Sequence, residues 1–129
     1  MHVDASVLVA IALHESDRDE LIDRLEKGGN RTTSPVSVFE AAIAVGREIG
    51  DRPQGLPIVM ELIDRAQIEI VPIDAELVGP LHSAYLLYGK GAAHPAKLNL
   101  GDCFSYALAK RLNVELLYKG DDFAHTDLR

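Results

Sequence analysis

The chain holds one cysteine, Cys103, in 129 residues. No intrachain disulfide can form, and a reducing, cytoplasmic setting is the expectation. A lone cysteine inside a helical pattern reads as a small buried hydrophobe rather than a nucleophile. No apolar run approaches the roughly 20 residues that cross a bilayer, so no membrane is expected among the partners. The first residues lack the basic start and long apolar core of a signal peptide. Repeats, low-complexity tracts and long structureless linkers are missing too. That leaves one domain over residues 1–129, long enough for a real core. Positive charge is scarce: 13 Lys and Arg stand against 20 Asp and Glu, a net charge of −7. This excludes a generally basic nucleic-acid binder but leaves room for a local basic patch. One such patch is suggested by the stretch from Leu77 to Gly101, which has no acid and carries Lys90, Lys97, His82 and His94.

What is present centres on Leu98 to Ala109. Leu100, Phe104, Ala107, Leu108 and Leu112 recur at helical spacing, and Gly101 frees the backbone at the entry. Asp102 is the one charge in this run. A carboxylate among residues that want burial is costly unless something pairs with it.

Taken in order, the chain alternates strand and helix signals. A short strand ends near Asp4, and the apolar run Ala5–Leu13 reads as a buried helix. Asp17 followed by Glu20 predicts a capping box opening a second helix, which Gly28 and Gly29 end. Arg31-Thr32-Thr33 is a candidate second strand. Ser34-Pro35 is a strong helix start, and the helix runs from Val36 to Ile49. Leu56 to Ala66 predicts another helix, and Ile68 to Ile73 a strand with proline near its end. Asp74 caps a helix through Tyr88. Gly89 to Lys97 is a loop, Gly101 to Leu112 a helix, and Val114 to Tyr118 a strand leading into the turn Lys119–Phe123.

Strands separated by helices imply an α/β fold with a central, mostly parallel sheet and helices on both faces, a three-layer α/β/α arrangement. In such sheets the strands end, and the following helices begin, along one edge. Asp4, Glu40, Asp102 and either Asp121 or Asp122 would then fall together. Each has an ordinary reading. Asp4 caps a helix, Glu40 completes a capping box with Ser37, Asp102 favours a helix dipole, and Asp121 or Asp122 serves a turn. Four at one edge are harder to explain this way, because unpaired carboxylates repel until one takes a proton. A divalent cation removes the conflict. With no cysteine pair and no His-x-x-x-His spacing, the hard oxygen donors favour Mg²⁺ or Mn²⁺ over Zn²⁺. Such a site suits phosphodiester hydrolysis.

Val3-Asp4-Ala5-Ser6, Ser37-Val38-Phe39-Glu40, Gly101-Asp102-Cys103 and Leu116 through Phe123, in that order and separation, resemble the PIN-domain ribonucleases, and among them the VapC toxins of bacterial toxin–antitoxin pairs. The resemblance implies a PIN-like fold and an RNA endonuclease using Mg²⁺ or Mn²⁺. It further implies a homodimer inhibited by a VapB-type antitoxin. It carries Asp4, Glu40 and Asp102 onto the acidic cluster, with Asp4 and Asp102 binding the ion and Ser6 supporting the pocket. Many members have a hydroxyl residue after the last strand and an acid two positions on; Tyr118 and Gly120 stand there instead. Asp121 and Asp122 are thus alternatives for the fourth acid, Asp122 lying directly before the aromatic Phe123. Lys90, Lys97 and Lys119 are candidates for RNA phosphates. Two other readings use the same residues. An aspartyl-phosphate protein would take Asp4 as nucleophile, but the pattern wants a second Asp where Ser6 stands. A non-catalytic binding module would leave the acids as caps.

Overall fold

The computed structural model describes residues 1–128. Four short parallel strands form the sheet: β1 (His2–Val3), β2 (Arg31–Thr33), β3 (Ile68–Ile70) and β4 (Leu116–Leu117), in the order β3-β2-β1-β4. Six helices surround it: α1 (Ala5–Ala12), α2 (Arg18–Lys27), α3 (Pro35–Glu48), α4 (Gly55–Arg65), α5 (Val78–Tyr88) and α6 (Leu100–Leu112). The α/β expectation is met, with every pairing parallel.

Alternation along the strands separates the two faces. Val3 and its register partner Leu117 belong to the core built with Val7, Leu8 and Ile11 of α1, Leu21 and Leu25 of α2, Val38 and Val45 of α3 and Val59 and Ile63 of α4. Leu116, one residue from Leu117, belongs to the core on the α5–α6 side, with Tyr88, Leu98, Cys103, Tyr106 and Phe123. Cys103 is thus the buried hydrophobe its context suggests. Glycine allows α4 to approach α3 closely: a Cβ on Gly55 would overlap the Ala42 carbonyl of α3. Among the described residues no helix is long and apolar enough to cross a membrane.

Four local expectations change. Asp17 forms no side-chain cap on α2, and its backbone is not extended as a capping residue's is. Its carboxylate, with that of Glu15, instead holds the Lys119 ammonium at 3.1 and 2.8 Å. The helix expected from Asp74 to Tyr88 is divided. Asp74 caps a 3₁₀ turn, Ala75–Leu77, and α5 follows from Val78. Pro80 has no N–H to bond back to Glu76, so the chain tightens before it. The third strand stops at Ile70, with Pro72 two residues beyond. α6 begins one residue earlier than expected, because Asn99 supplies its cap.

The order β3-β2-β1-β4 sends the chain from β1 outward to β2 on one side and, later, to β4 on the other. The carboxyl ends of β1 and β4 therefore flank the switch point, where open α/β sheets leave a crevice.

Candidate active site

Asp4 leaves β1 at this switch point. Its backbone N–H donates to the Leu117 carbonyl of β4 at 3.0 Å, while its side chain turns to cap α1. Both carboxylate oxygens are held. Oδ2 accepts the Ser6 backbone N–H at 3.0 Å and the Ser6 hydroxyl at 2.6 Å. Oδ1 accepts the Ser105 hydroxyl of α6 at 2.5 Å. Ser6 Oγ in turn accepts the Lys119 N–H at 3.0 Å, tying the chain leaving β4 to the start of α1. Asp4 is 6 % exposed, so these donors stand in for water around a buried charge.

Asp102 sits in the first turn of α6 and is 7 % exposed. Its backbone N–H donates to Asn99 Oδ1 at 2.9 Å, and its Oδ2 accepts the Asn99 N–H at 3.0 Å. This is a reciprocal capping box, so the capping reading of Asp102 is also true. Burial pushes its carboxyl up to about 7, against the Asn99 bond, and the charges of Asp122, Asp4 and Glu40 push the same way. Three acids from distant parts of the chain thus act on Asp102. Asp122 is among them and Asp121 is not; the Asp121 carbonyl closes the following turn on the Ala124 N–H.

Glu40 is half-buried in α3, two turns beyond the Ser34 cap, and does not close a capping box. Its carboxyl is raised by burial and by Asp4. The side chain lies over the backbone of α6: a Cβ on Gly101 would overlap both Glu40 carboxylate oxygens. Gly101 therefore makes room for Glu40 beside Asp102. Among the described residues no group of three or more His, Cys, Asp or Glu side chains is drawn together closely enough to hold a metal ion. Asp4, Glu40 and Asp102 stand near one another at the sheet's switch point without closing on a common point.

The lysines divide. Lys90 and Lys97 are exposed at the neck of the Gly89–Lys97 loop, which closes through Lys90 N–H to the Leu98 carbonyl and Leu98 N–H to the Tyr88 carbonyl. Lys119, expected with them at RNA phosphates, is engaged by Glu15 and Asp17. Its ammonium ties the chain leaving β4 to the segment between α1 and α2.

Two participants were not anticipated from sequence. Asn99 carried a signal, since Asn followed three residues later by an acid before an apolar run is a helix-start pattern. Ser105 carried none, because a serine within a helix usually faces solvent or bonds its own backbone.

The PIN domain family model matches residues 1–128. Ribonuclease VapC42 of Mycobacterium tuberculosis is 41% identical over 129 residues, covering 100% of this chain and 97% of that protein. Ribonuclease VapC of Mycolicibacterium smegmatis is 41% identical over 128 residues, with 99% and 97% covered. Among solved structures, the Mycobacterium tuberculosis toxin VapC20, which cleaves the sarcin–ricin loop, superposes with a TM-score of 0.76 at 13% identity, over 98% of this chain and 94% of that one. A toxin–antitoxin complex from Klebsiella pneumoniae gives a TM-score of 0.69 at 18% identity, over 98% and 92%. With a family model spanning nearly all its residues, full-length relatives of VapC type and the same fold, the chain belongs to the PIN-domain family as a VapC protein.

Proposed function

We propose that the chain is a Mg²⁺- or Mn²⁺-dependent RNA endonuclease, the toxin of a toxin–antitoxin pair restrained by a VapB-type antitoxin. The observation that carries this reading is the convergence of Asp4, Glu40 and Asp102, with Asp122 beside them, four acids from separate segments at the sheet's switch point. The ribonuclease names of the relatives support it.

The donor set fits a hard divalent cation. It offers carboxylate oxygens only, on a site whose burial penalises uncompensated negative charge. Asp4 and Asp102 would hold the ion, and Asp122, rather than Asp121, would complete the rim. A bound ion would supply a lowered pKa for water and neutralise charge developing on the phosphate. The chain's own groups do the rest. Ser6 and Ser105 hold the Asp4 carboxylate in a fixed orientation. Glu40, the more basic for its burial, orients the attacking water and accepts its proton. Lys90 and Lys97 draw the phosphate chain past the pocket, which lets an acidic protein meet a polyanion.

The partner assignments rest on separate support. The similar Klebsiella pneumoniae structure is a toxin–antitoxin complex. Exposed apolar side chains on α5, Val78, Leu86 and Leu87, support a homodimer. A cytoplasmic location follows from the RNA substrate. The test is expression in a bacterial host: the wild type arrests growth and cleaves cellular RNA, while folded Asp4→Asn does neither. Growth arrest by folded Asp4→Asn contradicts the proposal.

A further inference from the structure

Asp4 is held from the side of α6 by a residue with no evident reason to be polar. Ser105 is fully buried, on a helix face packed against the sheet. Its hydroxyl passes over its own helix backbone and donates to Asp4 Oδ1 at 2.5 Å. Behind it lie two more fully buried hydroxyls. Ser34 Oγ accepts the Ser37 N–H at 3.1 Å as the cap of α3, and donates its own proton to Ser37 Oγ at 3.3 Å. Ser37 Oγ lies 3.5 Å from Ser105 Oγ. Because the Ser105 proton goes to Asp4, Ser37 must be the donor across that gap. The protons then run one way, from Ser34 to Ser37 to Ser105 to the carboxylate, and each hydrogen bond in such a chain polarises the next.

Counting lone pairs shows which Asp4 oxygen this chain addresses. Oδ2 accepts two hydrogens, both from Ser6, and a carboxylate oxygen offers two acceptor positions. Oδ1 accepts one, from Ser105, and keeps one free. A cation bound by Asp4 therefore uses Oδ1, the oxygen Ser105 orients. Ser34 caps α3, the helix that carries Glu40, and Ser37 lies in its first turn. The same chain thus joins the position of Asp4 to the helix presenting Glu40.

We propose that Ser105 is a positioning residue: backed by Ser37 and Ser34, it orients the free lone pair of Asp4 Oδ1 for the metal and couples Asp4 to the Glu40 helix. This rests on the metal-dependent reading above. Partners that orient metal ligands typically change affinity or activity by about 10- to 100-fold when removed, and the same range is expected here.

The experiment is Mn²⁺ titration by calorimetry on the full chain, with cleavage kinetics alongside, for wild type, Ser105→Ala, Ser37→Ala and the double variant, each checked by thermal melting. Ser105→Ala should bind Mn²⁺ about 10- to 100-fold more weakly and lose kcat while KM for RNA stays level. Ser37→Ala, acting through the longest link, should show a smaller loss that vanishes in the Ser105→Ala background. Wild-type Mn²⁺ affinity in folded Ser105→Ala overturns the proposal. Independent, additive losses overturn the chain. If Ser105→Ala fails to fold, Ser37→Ala alone decides: an unaltered affinity overturns the proposal, and a weaker one with unchanged KM supports it. No Mn²⁺ binding by the wild type overturns the proposed function and this inference together, whereas normal wild-type binding with an unaffected Ser105→Ala overturns this inference alone.

Discussion

Asp102 answers to two demands at once. It caps α6 through the Asn99 N–H, and it stands near three other acids. Its carboxyl is raised to about 7 from an ordinary 3.8, chiefly by burial. A raised carboxyl pKa means that the metal-free fold gains stability when the group is protonated. That gain is complete near the ordinary value and is lost as pH climbs through about 7. His2 works in the opposite direction. It is fully buried, bonds Thr32 Oγ1 through Nδ1 at 2.9 Å, and is pushed down to about 4 from 6.5, mainly by desolvation. A lowered histidine costs stability as pH falls from 6.5 towards 4, since only the unfolded chain takes the proton. The two contributions oppose each other in that window. Asp102→Asn keeps an acceptor for the Asn99 N–H and removes the charge. It should therefore melt higher than metal-free wild type at pH 8. Its melting temperature should also fall more steeply than wild type's between pH 6.5 and 4. Parallel melting curves over that range contradict the assignment. Metal binding needs Asp102 ionised, so wild-type Mn²⁺ affinity should rise up to about tenfold per pH unit below 7 and level off above it, read by calorimetry.

At the scale of elements, the start of α6 brings together what the site needs. Gly101 is there because Glu40 of α3 reaches across it, not because of its backbone angles. The Glu40 carboxylate is the flexible end of a side chain and can move aside. Gly101→Ala should therefore leave the fold intact or stabilise it by about 0.5–1 kcal/mol, as alanine does in a helix. Displacing Glu40 should still lower kcat, by up to about 100-fold, as misplacing a positioned group does. Loss of stability with full activity contradicts this account of Gly101. Asn99→Ala should do the reverse for stability, costing about 1 kcal/mol as a lost helix cap in denaturant unfolding.

Most elements were legible because their starts carry side-chain signals. Ser34-Pro35 marked α3, and the apolar run after Asp4 marked α1. Asp17 misled because its carboxylate finds a better partner in Lys119, a hundred residues on in the chain and beyond the reach of local patterns. The acids Asp4, Glu40 and Asp102 were readable as charges out of place. Ser105 was not, since a neutral side chain in a helix announces nothing until the fold brings Asp4 to it. The choice between Asp121 and Asp122 likewise depended on which way the turn after β4 faces.

For the whole molecule, the strand order β3-β2-β1-β4 sets the switch point, and a core lies on either side of the sheet beneath it. The acids concentrate negative charge there at a standing cost that a bound cation would relieve. Saturating Mn²⁺ should raise the melting temperature by several degrees, corresponding to about 2.7 kcal/mol at a hundred times the dissociation constant. Asp4→Asn should show little of that rise in the same scan.

The most direct test is cleavage of a defined RNA by the purified full chain in Mn²⁺, after chelation, and after Mn²⁺ is restored, with Asp102→Asn run beside the wild type. The account predicts cleavage by the wild type that stops on chelation and returns with the metal, and none by Asp102→Asn under any condition. Cleavage that survives chelation, or full activity in Asp102→Asn, contradicts it.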